Sequence, residues 1–358
     1  MRRALALARR AAGRTAPNPM VGCVIVKGGR VVAEGFHRKA GTAHAEVAAL
    51  AKIAPGKARG ATVYVTLEPC NHTGRTGPCS EALVAAGVGR VVAAMGDPNP
   101  HVAGGGARRL RRAGIPVEIG LCEDEARRLN AGFLKHGRTG RPLVTLKAAV
   151  SLDGRIAAGS GDARWVTGEA ARREVHRMRD RADAILVGAG TVIADDPSLT
   201  TRLPGGRGRD PLRVIVDGKA GIPPTAKVVG PGTLIVTRGA RGARTAALVA
   251  RGAEVLPMPG PGGRVDLGAL LDELGRRGVL ELLVEGGARI HGALLAAGLV
   301  DRVVVFVAPK IVGAGGVPMV GAPGARTMAE AWTLADVRVR RLGDDVMIEG
   351  DVAAPVPR

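Results

Sequence analysis

The chain has 358 residues, is 46% apolar and 2% aromatic, and carries a formal net charge of +20. That length suits two domains of ordinary size, and that apolar content excludes a disordered chain. So few aromatic rings leave almost no platforms for base stacking, and the Arg residues are scattered, so the charge reads as a compositional bias that spreads basic side chains over every surface, which also attracts phosphorylated small molecules, and not as a nucleic-acid arm.

In chain order, Met1-Arg2-Arg3-Ala4-Leu5 has a faint secretory look, but Arg9 and Arg10 interrupt any apolar segment. The pattern predicts a short amphipathic helix over 4–12. The loop Ala16-Pro17-Asn18-Pro19 leads to strands at 21–27 and 30–36 around Gly28-Gly29. A helix from His44 to Lys52, a strand at 62–66, a helix from Cys79 to Ala86 and a strand at 88–95 follow. That strand ends at Asp97-Pro98-Asn99-Pro100, before a helix over 104–113 and a strand near 116–119. His136 to Pro142 has linker composition and divides residues 1–140 from 141–358. Beyond it, strands are expected at 143–150, 183–188, 212–217, 233–237, 253–257, 280–285 and 302–308. Helices are expected near 168–180, 243–251, 266–277 and 288–297, with a Gly/Pro-rich loop at 257–263. Such alternation predicts an α/β chain, the second half a largely parallel sheet flanked by helices.

Four cysteines in a chain this long make no disulfide framework. Cys23 lies in an apolar run and reads as a small buried hydrophobe, while Cys122 has no obvious partner. Reduced thiols and the absence of a signal peptide fit a cytoplasmic protein, and no apolar run approaches membrane-spanning length.

The chemistry of the first half centres on His44-Ala45-Glu46, then Pro69-Cys70 and Cys79. One imidazole and two thiols suit a catalytic zinc site with three protein ligands and one open position. A purely structural zinc site would fill all four positions with Cys or His. Glu46, two residues from His44, is the proton shuttle in that reading, and H-x-E with P-C-x-x-C marks zinc-dependent nucleobase deaminases. Here eight residues separate the cysteines, not two. His72 is too close to Cys70 for an easy fourth ligand and suits a phosphate or substrate contact. With Arg75 and the glycine amides, it makes the loop between the cysteines a phosphate site. Asn18, between two prolines, is either a hydrogen-bond partner for a heterocycle or a simple turn residue. Both ligand helices begin at the ligands, where the macrodipole favours thiolate.

In the second half no G-x-G-x-x-G follows a strand, so the usual dinucleotide fingerprint is missing. Leu282 to Gly287 reads as a strand entering a glycine turn before a helix, whose amides suit a pyrophosphate. Gly188-Ala189-Gly190-Thr191 reads as a second strand-to-glycine turn. Each alone is an ordinary tight turn; both at carboxyl ends of strands point to a ligand site.

The strings P-N-P-M-V-G-C-V-I-V, A-H-A-E-V, V-T-L-E-P-C-N-H-T-G-R-T-G-P-C, M-G-D-P-N-P, S-L-D-G-R-I-A, W-V-T, G-A-G-T-V-I-A-D-D-P and V-E-G-G-A-R-I-H-G-A-L-L span nearly the whole chain. On them the chain resembles the bifunctional deaminase/reductase family of riboflavin biosynthesis. The resemblance implies a cytidine-deaminase-like α/β/α domain followed by a dihydrofolate-reductase-like α/β domain. It implies deamination of 2,5-diamino-6-(ribosylamino)pyrimidinone 5′-phosphate, then NADPH-dependent reduction of the ribosyl group to ribityl. It assigns Zn2+ to His44, Cys70 and Cys79, the proton donor to Glu46, and deaminase substrate contacts to Asn18, His72 and Arg75, joined by Asp97 and Asn99. In the reductase it places Ala149, Trp165, Thr191, Asp195, Gly218 and the segment from Gly287 onward, with Gly287, Ala288 and Arg289 first, at the cofactor. Ala163, Arg179, Leu199, Arg202 and Glu285 fall at the substrate, and Lys147 orients or protonates the opening sugar. Ala163 stands where the family often has serine, so one substrate hydrogen bond is expected to be missing. The chain also starts without the family's acidic and aromatic lead-in, so either a frayed first helix or a misassigned start is expected.

A rival reading is a basic transfer-RNA adenosine deaminase with an unrelated C-terminal extension. The long loop between the cysteines and the S-L-D-G-R and A-D-D-P strings argue against it. A third, a regulatory or RNA-binding protein with a degenerate enzyme domain, conflicts with the intact ligand set. The expected partners are phosphorylated pyrimidines and a second copy of the chain, with neither nucleic acid nor membrane.

Overall fold

The computed structural model describes residues 1–72, 77–97, 104–206, 208–239, 242–321 and 324–353. The chain divides into two compact units, Met1–Gly140 and Arg141–Arg358. Among the described residues no helix is long and apolar enough to cross a membrane.

The first unit contains α1 (Arg2–Arg9), β1 (Gly22–Lys27), β2 (Arg30–Phe36), α2 (Ala45–Leu50), β3 (Thr62–Val65) and α3 (Cys79–Ala85). It continues with β4 (Arg90–Ala93), α4 (Gly105–Arg112), β5 (Val117–Ile119), α5 (Glu123–Leu129) and α6 (Ala131–Thr139). The five strands form one sheet in the order β2-β1-β3-β4-β5. β1 pairs antiparallel with β2 and β3, while β3, β4 and β5 run parallel. β1 is buried at Gly22, Cys23, Val24 and Ile25, as a strand covered on both faces must be. α1 is helical from Arg2 and buries Ala4, Leu5 and Ala8, so the expected fraying does not occur. α4 buries Gly106, Ala107 and Leu110 and turns its arginines outward.

Two glycines set the spacing around the later site. A Cβ on Gly35 would lie 2.4 Å from the Ala45 carbonyl oxygen, and one on Gly106 would lie 1.7 Å from that of Pro69. Only glycine lets α2 press onto β2, and α4 onto the loop that carries Cys70.

The second unit contains β6 (Leu143–Ser151), β7 (Arg155–Ala157), α7 (Glu169–Arg181), β8 (Ala184–Gly188), α8 (Ala189–Asp195), β9 (Leu212–Val216) and β10 (Thr233–Thr237). Then come α9 (Ala243–Ala250), β11 (Glu254–Pro257), the short β12 (Pro259–Gly260) and β13 (Arg264–Val265), α10 (Leu267–Arg276), β14 (Glu281–Gly286) and α11 (Ala288–Ala296). β15 (Arg302–Ala308), β16 (Val317–Pro318), β17 (Thr333–Leu342) and β18 (Asp345–Ala353) complete it. Its main sheet has nine strands in the order β11-β10-β9-β8-β14-β6-β15-β18-β17. β11 to β15 in that order are parallel, and the β17–β18 hairpin adds antiparallel to β15.

Alternate side chains of the parallel strands go to opposite faces. Leu146, Leu186, Val214 and Val284 pack with Leu270, Leu274 and Leu294 of α10 and α11. Ile185, Val187, Ile215 and Ile235 pack with Val192 and Leu248 of α8 and α9. Both faces are covered, which is why the sequence shows apolar runs there and not alternation.

Four expectations need correction. The stretch read as a linker begins inside α6, which runs to Thr139 and stops where Gly140 takes a φ of 70°. The preceding α5 had no expected counterpart. Gly188 to Thr191 is no glycine turn, because β8 passes directly into α8. The loop at 257–263 holds part of a small hairpin, β12 with β13.

Candidate active sites

The loop after β3 and the starts of α2 and α3 meet at one place. His44 is the N-cap of α2, Cys79 is the first residue of α3, and Cys70 lies in the loop. Their ligand atoms all lie within 4.8 Å of one another. Nδ1 of His44 is 3.3 Å from Sγ of Cys79 and 3.5 Å from Sγ of Cys70. Zinc bonds of about 2.3 Å to sulfur and about 2.0–2.1 Å to nitrogen give a tetrahedral N···S edge of about 3.5 Å. The triangle therefore fits one zinc ion as it stands. Its electrostatics ask for one too. The Cys79 thiol donates to the Cys70 sulfur, pulling Cys70 down to about 4 while Cys79 is held up. The Cys79 N–H adds a donor at 3.4 Å. Two thiolates this close need a cation between them.

Glu46 lies in the first turn of α2 and is 3% exposed. Burial pushes its carboxyl up to about 7, where it can take and give a proton near neutral pH. It lines a cavity of about 250 Å³ together with Asn18, His37, His44, His72, Asp97 and Phe133. Asn18 Nδ2 is 3.1 Å from Nε2 of His37, whose Nδ1 is 3.2 Å from the Ala43 carbonyl oxygen. A carbonyl only accepts, so His37 donates through Nδ1 and receives the Asn18 amide on Nε2. His72 is exposed and stands outside the metal triad. Arg75 and Asn99 lie outside the described residues.

Besides His37, residues that line or brace this pocket without having been anticipated are Asn130, Glu68 and Phe133. Asn130, between α5 and α6, accepts from Met20 N–H at 2.8 Å and donates to Met20 O at 3.0 Å, clamping the loop that carries Asn18. Glu68, 5% exposed, accepts from the backbone N–H groups of Asp97, Gly104 and Ala107 at 3.4, 3.0 and 2.9 Å, and so fixes Asp97. Phe133 reaches the cavity from α6. The acid next to a ligand in L-E-P-C was the one available signal; Asn130 and Phe133 sit on helices that the sequence pattern did not reveal.

The second unit holds a cavity of about 450 Å³ beside the carboxyl ends of β6, β8 and β14. Pairing of Leu146 with Val284 sets Lys147 beside Glu285 on adjacent strands. Lys147 Nζ is 3.5 Å from Glu285 Oε2. Arg179 of α7 grips the same carboxylate with Nε and Nη2 at 2.6 and 2.9 Å, and donates to Thr200 O at 3.0 Å. The Glu285 side chain is 6% exposed, yet the two cations overcome the effect of burial and hold its carboxyl down at about 2. Bidentate geometry makes the Arg179 contact the strong one.

Ala149, Ala163, Trp165, Thr191, Asp195, Arg202 and Gly287 line this cavity. Trp165 is 61% exposed, with the Arg172 guanidinium 4.6 Å from its ring centre. Four expected residues do not line it. The side chain of Leu199 is buried in the core beside Ile185 and Ile215, its backbone held at a φ of 53°. Gly218 lies beside Arg238 and Val265. Ala288 and Arg289 open α11 and flank the cavity without lining it. His176 lines it and was not anticipated, and His291 lines it within the segment from Gly287 onward that the resemblance places at the cofactor. His176 Nδ1 accepts the Arg202 N–H at 3.2 Å.

This lining fits NADPH on two observations. A Cβ on Gly287 would come within 3.2 Å of Thr191 Oγ1, so the gap between the starts of α8 and α11 is narrow and lined by backbone. Nε2 of His291 is buried without a partner, a polar atom that calls for a ligand donor.

Residues 1–95 match the cytidine and deoxycytidylate deaminase zinc-binding region, and residues 142–348 match the RibD C-terminal domain. The riboflavin biosynthesis protein RibD of Escherichia coli (strain K12) is 45% identical over 360 residues, covering 97% of each chain. That of Aquifex aeolicus (strain VF5) is 43% identical over 351 residues, covering 97% of this chain and 96% of its own. The solved structure of Acinetobacter baumannii RibD, form 1, superposes with a TM-score of 0.89 at 42% identity, covering 98% of this chain and 97% of that one. The Thermotoga maritima diaminohydroxyphosphoribosylaminopyrimidine deaminase/5-amino-6-(5-phosphoribosylamino)uracil reductase gives a TM-score of 0.86 at 35% identity, covering 99% and 97%. With both domain types in one chain and this likeness along nearly its whole length, the protein belongs to the RibD family of bifunctional deaminase/reductases of riboflavin biosynthesis.

Proposed function

We propose that the two cavities divide the two reactions between them, with residues 1–140 as the deaminase and 141–358 as the reductase. The observation that carries this is the pairing, in one chain, of a His/Cys/Cys triad beside a buried carboxyl with a basic cavity at a parallel sheet's carboxyl edge.

In the deaminase, His44, Cys70 and Cys79 hold zinc, which when bound supplies Lewis acidity toward the attacking water. Glu46 takes a proton from that water and passes protons in turn to the ring nitrogen and the departing amino group, which leaves as ammonia. Asn18, oriented by His37 and by the Asn130 clamp, hydrogen-bonds the ring. Asp97, His72 and Arg75 complete the substrate site.

In the reductase, NADPH when bound supplies the hydride. Lys147 would donate a proton to the sugar ring oxygen as the nitrogen lone pair expels it from C1′, which leaves a protonated imine whose carbon can take a hydride to give the neutral amine. Glu285 holds Lys147 and Arg179 in place, and Arg179 with Arg202 binds phosphate. Ala149, Trp165, Thr191, Asp195 and Gly287 contact the cofactor, and Ala163 the substrate. Leu199, Gly218, Ala288 and Arg289 act only through their backbone or from the cavity's margin.

The enzyme works on phosphorylated pyrimidines in the cytoplasm, a location supported by four unpaired cysteines, two of them metal ligands. It acts as a homo-oligomer, supported by β17, an edge strand with Val337 and Val339 exposed at 52% and 63%.

Mass-spectrometric product analysis with the diaminopyrimidine substrate tests the whole reading. The deaminated ribosyl compound is expected without NADPH, and the ribityl compound with it. Unchanged substrate alongside deamination of RNA would replace this reading with the rival one.

A further inference from the structure

The reductase cavity is rich in cations, and most of them already hold a partner. Lys147 pairs with Glu285 at 3.5 Å. Arg172 donates to the Thr167 carbonyl oxygen at 2.8 Å, and Arg173 pairs with Glu169. Arg179 commits three of its five N–H groups to the Glu285 carboxylate and the Thr200 carbonyl oxygen. Arg202 and His176 line the same cavity. Among the described residues neither the Arg202 guanidinium nor Nε2 of His176 has a hydrogen-bond partner.

His176 lies three residues before Arg179 on α7, so the two share one face of the helix. That face holds the segment after Leu199 at two points. Thr200 O accepts from Arg179 Nη1 at 3.0 Å, and the Arg202 N–H donates to His176 Nδ1 at 3.2 Å. The second bond fixes the tautomer. Burial, then the nearby Arg179 and Arg202 guanidinium groups, push the imidazole below its ordinary value, so the ring is neutral at neutral pH. With Nδ1 accepting, the one ring proton sits on Nε2 and makes that nitrogen a donor. A cation without a counter-ion beside a neutral donor calls for a ligand with both negative charge and several acceptor oxygens. A phosphate monoester offers both at once.

We infer that His176 is a substrate-binding residue of the reductase, its Nε2–H donating to a phosphate oxygen of the ribosyl phosphate alongside Arg202. The inference rests on the reading of residues 141–358 as a reductase of a phosphorylated ribosyl compound, and it adds to that site a donor that is not an arginine.

The test is steady-state NADPH oxidation by the full chain with the deaminated ribosyl phosphate, and with the same compound lacking its phosphate, for wild type, H176N, H176Q and H176L. Asn keeps an acceptor for the Arg202 N–H but places no donor at the position of Nε2; Gln places one there. H176N and H176L are expected to raise KM for the ribosyl phosphate about tenfold, with kcat and the KM for NADPH unaltered. H176Q is expected to stay within about threefold of wild type, because the donor to a charged oxygen is restored. On the phosphate-free compound, wild type and H176N should share one kcat/KM. Thermal unfolding shows whether each variant is folded, and if H176L is not, H176N decides. A wild-type KM in folded H176N overturns the inference, as does an equal loss on the phosphate-free compound. A wild-type chain that oxidises no NADPH with the deaminated ribosyl phosphate overturns the reductase reading itself, a result separate from either.

Discussion

The two cavities solve the problem of a buried charge in opposite ways. At the deaminase site burial lifts the carboxyl of Glu46 to about 7, and the nearby His44 ring opposes that rise without overcoming it. At the reductase site Glu285 is buried just as deeply, yet Arg179 and Lys147 hold it at about 2. The first arrangement suits a group that moves protons, the role proposed for Glu46, and the second is a fixed anion that holds two cations in register. Burial alone therefore does not tell a catalytic carboxylate from a positioning one; its neighbours do.

That contrast can be broken most sharply at Glu46. E46Q keeps the side chain's shape and removes the proton relay, so ammonia release is expected to fall by about 10²- to 10⁴-fold. NADPH oxidation on the deaminated substrate should persist in the same preparation. Loss of both activities in a folded E46Q chain would contradict two independent sites.

E285Q probes the other half. It leaves Arg179 and Lys147 buried, with side chains 11% and 12% exposed, without their counter-charge. Removing one partner of a buried pair costs about 3 kcal/mol, so thermal unfolding of the second unit should shift well downward. The sign of the pH effect follows from a folded value lowered from 4.5 to about 2. The carboxylate's contribution is complete above 4.5 and is lost as pH falls toward 2, so wild type and E285Q should converge in stability across that acid window. A constant gap between them would show that the loss came from packing.

The smallest effect is expected at Arg277, which spans Glu254 and Glu273 at 2.5 and 2.8 Å. Arg277 is 28% and Glu254 51% exposed, so solvent screens the network. R277A should cost under about 1 kcal/mol and vanish further in high salt. A loss as large as that of E285Q would mean that exposure does not separate these two ion networks.

How much could be read beforehand differs between the halves for a physical reason. His44, Glu46, Cys70 and Cys79 sit on successive elements, and a metal site needs particular ligand atoms, so residue type and spacing reveal it. Lys147 and Arg179 reach Glu285 across 138 and 106 residues, and nothing local marks them as a set. They emerged from a family likeness, and the sheet register supplies the cause. Leu199 shows what such transfer leaves open, since its side chain went to the core and only its backbone is left for a contact. α6 was missed because Gly132 and Gly137 weaken the helical pattern, each glycine costing about 1 kcal/mol relative to alanine, and α5 because it has seven residues and buries only Ala126, so no apolar stripe marks it. Leu129 and Leu134, packed on the first unit's core, hold those helices in place. β17 escaped notice because almost all of it is exposed, so no burial pattern shaped its composition.

By itself the sequence determined the alternation of strands and helices and the His/Cys/Cys set, and placed the carboxyl proposed as its proton carrier, because these depend on short-range periodicity and on the chemistry of a few side chains. Only the tertiary structure decided that Asn130 clamps the Asn18 loop, that Glu68 pins Asp97, and that His291 is left with an unpartnered nitrogen. Those outcomes depend on which distant backbone groups end up within hydrogen-bonding reach, and packing of the whole sheet sets those distances.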